Sequence, residues 1–323
     1  MIDLHMNERA WSLAEQCIAR AAELGIAVHN LPSGARVIDA GIEAPGGLAA
    51  GVVLAELCMG GLGHIALTSL TIGGPTPGAE AWPGVQVWTD QPARSCMASQ
   101  YAGWAINPPG FFAMGSGPLR SKARVETELF GKLGYAEQAR RGVLVLEGRT
   151  LPTDDVAKWV AGKAGVAVDA LILAIAPTAS LSAGIQIAAR VLETGLHKMD
   201  TIGFDLLRVV SAFGSAPWPP VARSDARAIG RTNDCILYGG QARYVVSADD
   251  GELADLVKRL PASASSDYGT PFYDIFKRYD HDFYKIDPML FSPAEVWVTS
   301  VTSGRTFHAG RTDPDVLRRS LYP

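Results

Sequence analysis

The sequence predicts an α/β protein, with α+β the other arrangement its element order allows. Three observations carry that prediction. Between Gly142 and Leu192 the pattern runs strand, helix, strand, helix. Elsewhere, short apolar and β-branched runs are separated by Gly- and Pro-rich steps. The composition is that of an ordinary globular protein, with 48% hydrophobic and 19% charged residues in a chain of 323. That length suits two moderate domains or one large one. We read a first portion at 1-115 and a second at 116-323, with exchange of segments between them left open.

The elements follow in order. Asn7 to Leu24 places Trp11, Leu13, Ala14, Ile18, Ala21 and Ala22 at helical spacing, and Gly25 ends it. Ala35 to Ala40 reads as a short strand, and Pro45-Gly46-Gly47 turns into the apolar segment Leu48 to Leu57. His64 to Ile72, followed by Gly73-Gly74-Pro75, and Val85 to Thr89 read as strands, and Arg94 to Ile106 as a helix. The charged segment Arg120 to Arg141 reads as helical. Gly142 to Glu147 is a strand, and Thr153 is the N-cap of a helix ending at Gly165. Ala170 to Ala176 is a buried strand, and Ser180 to Leu192 a helix. Ser215 to Arg231 reads as loop, and Cys235 to Tyr238, closed by Gly239-Gly240, as a strand. Val245 to Ala248 is a further strand, Asp249 to Leu260 a helix and Pro261 to Pro271 an exposed loop. Glu295 to Ser300 with Arg305 to His308 forms a closing hairpin.

Composition also excludes function classes. A formal charge of -4 with scattered basic residues lacks the basic face that displaces counterions from nucleic acid. The start, MIDLHMNERAWSLAEQ, has no secretory pattern, so a cytoplasmic location is expected. No segment reaches the roughly 18 unbroken apolar residues of a membrane span. The best stretch, Val166 to Ala176, is interrupted by Asp169. Cys17, Cys58, Cys96 and Cys235 form no CxxC, and the six histidines form no HxH or HExxH. No catalytic metal is expected.

Four residue groups are candidates for chemistry. Gly115-Ser116-Gly117-Pro118, followed by Arg120, Lys122 and Arg124, is either an anion cradle or a turn beside a solvated basic face. There is no GxGxxG with a following acidic residue and no GxxxxGK[ST], so dinucleotide and nucleotide-hydrolase readings lose support. Arg190 and Glu193, three apart, share one face of a helical turn. A carboxylate beside a guanidinium stays ionised and oriented, as a water-activating base must, yet such pairs are usually surface salt bridges. Asn233 and Asp234, before the run to Tyr238-Gly239-Gly240, either read the edge of a heterocycle or close an Asx-turn. The Tyr-, Phe- and Asp-rich segments Ser263 to Ile275 and Tyr279 to Pro293 offer ring stacking or simple packing.

Together these strings resemble the methenyltetrahydromethanopterin cyclohydrolases. The resemblance rests on AARVLETGLHKMD at Ala188 to Asp200, GRTNDCILYGG at Gly230 to Gly240, Ser266 to Phe272 and Phe283 to Pro288. Earlier matches are Ala98-Ser99-Gln100, Ala102-Gly103-Trp104 and Met114 to Pro118. The resemblance implies a two-domain fold with a pterin site in an interdomain cleft, a homotrimer, and no metal or organic cofactor. It implies interconversion of the 5,10-methenyl carrier plus water and the 5-formyl carrier in one-carbon metabolism. It places the catalytic pair at Arg190 and Glu193; beside it we assign Asn233 and Asp234 to polar ring contacts, and Ser116 with Gly117 to an anionic or polar part of the carrier. Two other readings stand beside it: an enzyme using a folate-type carrier, and a pterin-binding protein without turnover.

Overall fold

The computed structural model describes residues 4–73 and 80–322, so the turn expected at Gly73-Gly74-Pro75 lies partly outside the described residues. Its strands are β1 (Ala27–Asn30), β2 (Arg36–Asp39), β3 (His64–Ile72), β4 (Glu80–Thr89), β5 (Trp104–Ile106), β6 (Ala113–Ser116), β7 (Gly142–Glu147), β8 (Leu171–Ala176), β9 (Val209–Pro217), β10 (Gln241–Val246), β11 (Glu295–Ser300) and β12 (Thr306–Gly310). The chain forms two compact units, each drawn from two segments. Unit 1 is Met1–Gly63 with Arg94–Gln186, and unit 2 is His64–Ala93 with Ile187–Pro323.

Unit 1 is built on a six-stranded sheet ordered β1-β2-β8-β7-β6-β5, with β2, β8 and β7 parallel. The strands β7 and β8 are apolar almost throughout and buried, as central parallel strands covered by helices must be. Helices Met6–Ala19 and Leu48–Cys58 pack against β7, and Asp154–Ala164 against β8. The last of these starts where its composition predicts, with the Thr153 hydroxyl accepting from the Val156 N–H at 3.4 Å. Gly46 has to be glycine: at φ +64° its turn runs so close to the Ala40 carbonyl that a Cβ would lie 2.4 Å from it.

Unit 2 holds the second six-stranded sheet, ordered β12-β11-β10-β9-β4-β3, in which only the β10–β11 pair is parallel. Alternation divides its residues cleanly. Val85, Val87, Ala212, Ala216, Ala242, Tyr244, Val296 and Val298 are buried, and helix Val191–Thr201 packs against β9 and β10. Helices Phe272–Arg278 and Pro314–Leu321 pack against Asp225–Gly239 around a core of Leu237, Tyr238, Phe272 and Leu317.

Several elements differ from their sequence reading. The run Cys235 to Tyr238 is the end of a helix, Asp225–Gly239, capped by the Ser224 hydroxyl at the Arg227 N–H. Its strand-like composition reflects burial on nearly all sides, because two other helices pack on it. The strand lies just beyond, in β10, and the loop read at Ser215 to Arg231 begins inside β9. Arg94 to Ile106 is a π-helix, Ala93–Gln100, followed by β5. Arg120 to Arg141 contains two short helices, Leu119–Ala123 and Thr127–Leu133. The loop from Pro261 buries Ala262, Ser265 and Asp267 instead of exposing them. No helix among the described residues is long and apolar enough to cross a membrane.

Candidate active site

The expected helix Ser180 to Leu192 is broken in two. Leu181–Ala188 ends, Ala189 and Arg190 turn, and Val191–Thr201 begins with Arg190 as its N-cap. The Arg190 carbonyl accepts the Thr194 N–H at 2.9 Å, the first bond of the new helix. Glu193 therefore sits in the first turn, where the helix dipole favours negative charge. Arg190 is 7% and Glu193 5% exposed, so the surface-bridge reading of this pair fails.

The same turn is fixed from beneath. The Tyr244 hydroxyl, fully buried on β10, donates to the Leu192 carbonyl at 3.0 Å. Gly195 permits this approach, since a Cβ there would stand 2.1 Å from the hydroxyl oxygen. Val191 and Leu192 close over Gly214 of β9. Farther along, Lys198 is fully buried, and its Nζ donates to the Pro261 and Met289 carbonyls at 2.7 and 2.5 Å. Burial lowers the Lys198 ammonium to about 7, opposed by Asp287. Asp287 in turn accepts from the Ser265 hydroxyl and the Ser266 and Met289 N–H groups. Sequence reasoning missed Lys198 because a lysine in a helical pattern ordinarily marks a solvated face.

The other expected contacts are placed as follows. Ser116, at the end of β6 in unit 1, is buried, with its hydroxyl 3.3 Å from the Cys58 sulfur and 3.4 Å from the Val145 carbonyl. Gly117 adopts φ +107°, and its N–H donates to the Ser99 carbonyl at 2.8 Å. Neighbouring Arg120 lies on no solvated basic face: it is fully buried, bonded to Glu126 and to the Met97 and Ser99 carbonyls. Asn233 lies half-buried on helix Asp225–Gly239, its amide donating to the Ile229 carbonyl at 2.8 Å, so no Asx-turn forms before a strand. Asp234 is fully buried, and its oxygens accept from the Phe272 N–H at 2.8 Å and the Ser320 hydroxyl at 2.5 Å. Burial pushes its carboxyl up to about 7 against those two bonds. In this arrangement Asp234 ties three helices together.

One group among the described residues has the makings of a metal site: His29, Asp39 and Glu43, with one ligand atom each within 4.8 Å of the others. Asp39 is already engaged. Its oxygens accept the N–H groups of Gly41, Ile42, Glu43 and Ala44, which outweigh burial and hold the carboxyl below its ordinary value.

Comparison with known proteins supplies the family. The family model described as Cyclohydrolase (MCH) matches residues 5–321. A methenyltetrahydromethanopterin cyclohydrolase of Methylobacillus flagellatus is 46% identical over 317 residues, covering 98% of this chain and 95% of that protein. One from Methanosarcina barkeri is 40% identical over 321 residues, covering 98% of both. Another, from Xanthobacter autotrophicus, is 45% identical over 310 residues, covering 96% of this chain and 90% of its own. The similarity is collinear from one end to the other, and the chain belongs to the methenyltetrahydromethanopterin cyclohydrolase family of hydrolases.

Proposed function

We propose that this enzyme interconverts a 5,10-methenyl tetrahydromethanopterin carrier plus water with the 5-formyl carrier, using Glu193 as the water-activating base and Arg190 as its orienting partner. The observation that carries the assignment is the burial of both side chains at the start of one helix, in a chain collinear with cyclohydrolases. A buried carboxylate at a helix N-terminus is held in one place and kept negative by the local dipole.

The chemistry follows from charge. The methenyl bridge is an amidinium cation, so its carbon is electrophilic before any catalyst acts. Water is the partner that needs activation. Glu193 removes one proton as the water oxygen bonds to the bridge carbon, giving a neutral tetrahedral adduct. The carbon–nitrogen bond to N10 then breaks as Glu193 returns its proton to that nitrogen and the adduct hydroxyl gives its proton to solvent to form the carbonyl, so the carbon stays on N5 as the formyl group and one proton is released overall. Arg190 keeps the carboxylate ionised and aligned. The reaction needs no Lewis acid at the bridge carbon, and we take the enzyme to work without a metal or organic cofactor, in the cytoplasm, as a homotrimer. Ser116, Gly117, Asn233 and Asp234 remain proposed carrier contacts.

Glu193→Gln keeps shape and removes the base. Loss of methenyl absorbance with purified, chelator-treated protein should slow about 100- to 10,000-fold while the carrier still binds. Turnover within a few-fold of the parent rejects Glu193 as the base. Turnover of a folate-type methenyl substrate in place of the methanopterin one moves the assignment to the other carrier, and binding of both without turnover leaves a pterin-binding protein.

A further inference from the structure

In the unit 1 sheet the parallel strands β2, β8 and β7 end along one edge, and the chain leaves that edge in two directions. From β7 it passes to helix Asp154–Ala164, which shares a core with Leu144, Leu146, Leu173 and Ile175. From β8 it passes to helix Leu181–Ala188, which lies against helix Leu48–Cys58: a Cβ on Gly51 would stand 2.6 Å from Ile185. Helix Leu48–Cys58 covers the other face of the sheet. Its Cys58 sulfur meets the Ser116 hydroxyl, and Ser116 pairs with Val145, which alternates to the side opposite Leu144 and Leu146. Neighbouring β7 and β8 therefore send their connections to opposite faces. In an open α/β sheet, the crevice beyond the carboxyl ends of two such strands is where a ligand binds.

Two side chains stand at that crevice. Glu147 ends β7 opposite Ala176 of β8, and Thr178 lies two residues beyond Ala176 on the same side. The Thr178 hydroxyl, on a residue only 7% exposed, donates to Glu147 Oε1 at 2.5 Å. No other side-chain hydrogen bond or ion pair reaches this half-buried carboxylate among the described residues, and its second oxygen is open to solvent. Asp39, at the end of β2 on the same edge, shows what a structural carboxylate does there: both of its oxygens are taken up by backbone N–H groups. Glu147 engages only one. A buried hydroxyl on Oε1 fixes the plane of the carboxylate and leaves Oε2, with the remaining lone pair of Oε1, for a ligand. The group that fits is planar and offers two parallel N–H donors. A pterin presents such a pair in the 2-amino group and N3–H of its 2-amino-4-oxopyrimidine ring.

We propose that Glu147, oriented by Thr178, binds the 2-amino-4-oxopyrimidine edge of the carrier and sets the preference for a 2-amino pterin. The assignment rests on the carrier reading above. Glu147 meets the end of the ring system remote from the bridge carbon, so its bonds are the same in the ground state and the transition state. Such uniform binding acts on KM and leaves kcat alone.

The test is a cycle between protein and ligand. Dissociation constants of the full chain are measured for tetrahydromethanopterin and for its 2-deamino analogue, which keeps N3–H and lacks the other donor. The parent should bind the deamino compound about 10- to 100-fold more weakly. Glu147→Gln places an N–H where an oxygen stood; it should weaken the 2-amino carrier by a similar factor and bring the two ligands within about threefold of each other. In methenyl turnover the same variant should raise KM by that factor with kcat nearly unchanged, the reverse of the pattern expected of Glu193→Gln. Thr178→Val keeps the shape of threonine and frees the carboxylate to turn, so its preference should fall between the two, and circular dichroism melts show which variants are folded. A parent that binds both ligands equally, or a full preference for the 2-amino carrier in whichever variant folds, overturns the proposal and leaves the carrier reading standing. A parent that binds neither ligand removes that reading, and the proposal with it.

Discussion

Among the described residues each compact unit buries one cation completely, and the two are held differently. In unit 1, the Arg120 guanidinium meets Glu126 at 2.7 Å, donates to the Met97 and Ser99 carbonyls at 3.0 Å, and lies against the rings of Tyr101 and Phe130. In unit 2, the hydrogen bonds of Lys198 go to two carbonyls, and its nearest negative influence, Asp287, acts at longer range. Arginine is permanently charged and has a carboxylate to balance it, so its anchor is insensitive to pH. A lysine amine that has lost one proton still has two donors, which match its two acceptors. The segment behind Arg190 and Glu193 is therefore held by an anchor that works neutral, and the π-helix of unit 1 by one that works charged.

The strongest way to break the comparison is Arg120→Leu. It strips the cation from Glu126, whose side chain is 16% exposed, and takes a donor from the Met97 and Ser99 carbonyls of the π-helix, of which Ser99 keeps the Gly117 N–H. Removing one partner of a buried pair costs about 3–5 kcal/mol. Thermal or urea melts should show a loss of that size, and a loss under about 1 kcal/mol would mean that the guanidinium is dispensable.

Lys198→Met should cost less, about 1–3 kcal/mol, because it takes a donor from the Met289 carbonyl and one from the Pro261 carbonyl, which keeps the Ala264 N–H at 3.0 Å, and strands no charge. Its distinguishing mark is pH dependence. Lys198 sits near 7 when folded against 10.5 unfolded, so between these values the unfolded chain binds more protons and stability rises with pH. Asp234 has the opposite sign in a lower window: raised from 3.8 to about 7, it makes stability fall as pH climbs from about 4 to 7. The parent should show both slopes in its urea midpoints. Lys198→Met should flatten the upper one and Asp234→Asn the lower one, each leaving the other intact; a parent whose midpoints are level from pH 7 to 10 would exclude the neutral anchor.

What could be read from the chain, and what could not, follows the same line. The Thr153 cap, the parallel strands β7 and β8 and the closing hairpin all obey local rules, and their residues announce them. Cys235 to Tyr238 looks like a strand because burial on many sides erases the helical stripe. Arg120 and Lys198 look like solvent-facing charges because the groups that hold them come from elsewhere in the chain, 63 and 91 residues away in the case of Lys198. The spacing of Arg190 and Glu193 was visible. Their burial and the helix break between them and Ala188 were not, since no glycine or proline marks it.

The finest probe of the comparison is Tyr244→Phe, which removes one hydroxyl and keeps the ring. That hydroxyl donates to the Leu192 carbonyl, the peptide unit that leads directly into Glu193. A neutral hydrogen bond lost from a buried site costs roughly 0.5–1.5 kcal/mol of stability, which should leave the protein folded at 25 °C. If the bond merely braces the sheet, kcat per folded molecule is unchanged. If it sets the height of the first helical turn and Glu193 is the base proposed above, that carboxylate shifts relative to the bridge carbon, and kcat should fall about tenfold with KM nearly constant, because misplacement of even 1 Å is felt in the chemical step. Gly195→Ala should reproduce that fall by pushing the hydroxyl away from the other side, where a Cβ meets it at 2.1 Å. Normal kcat in both variants would assign the placement of Glu193 to Arg190 and the helix start alone.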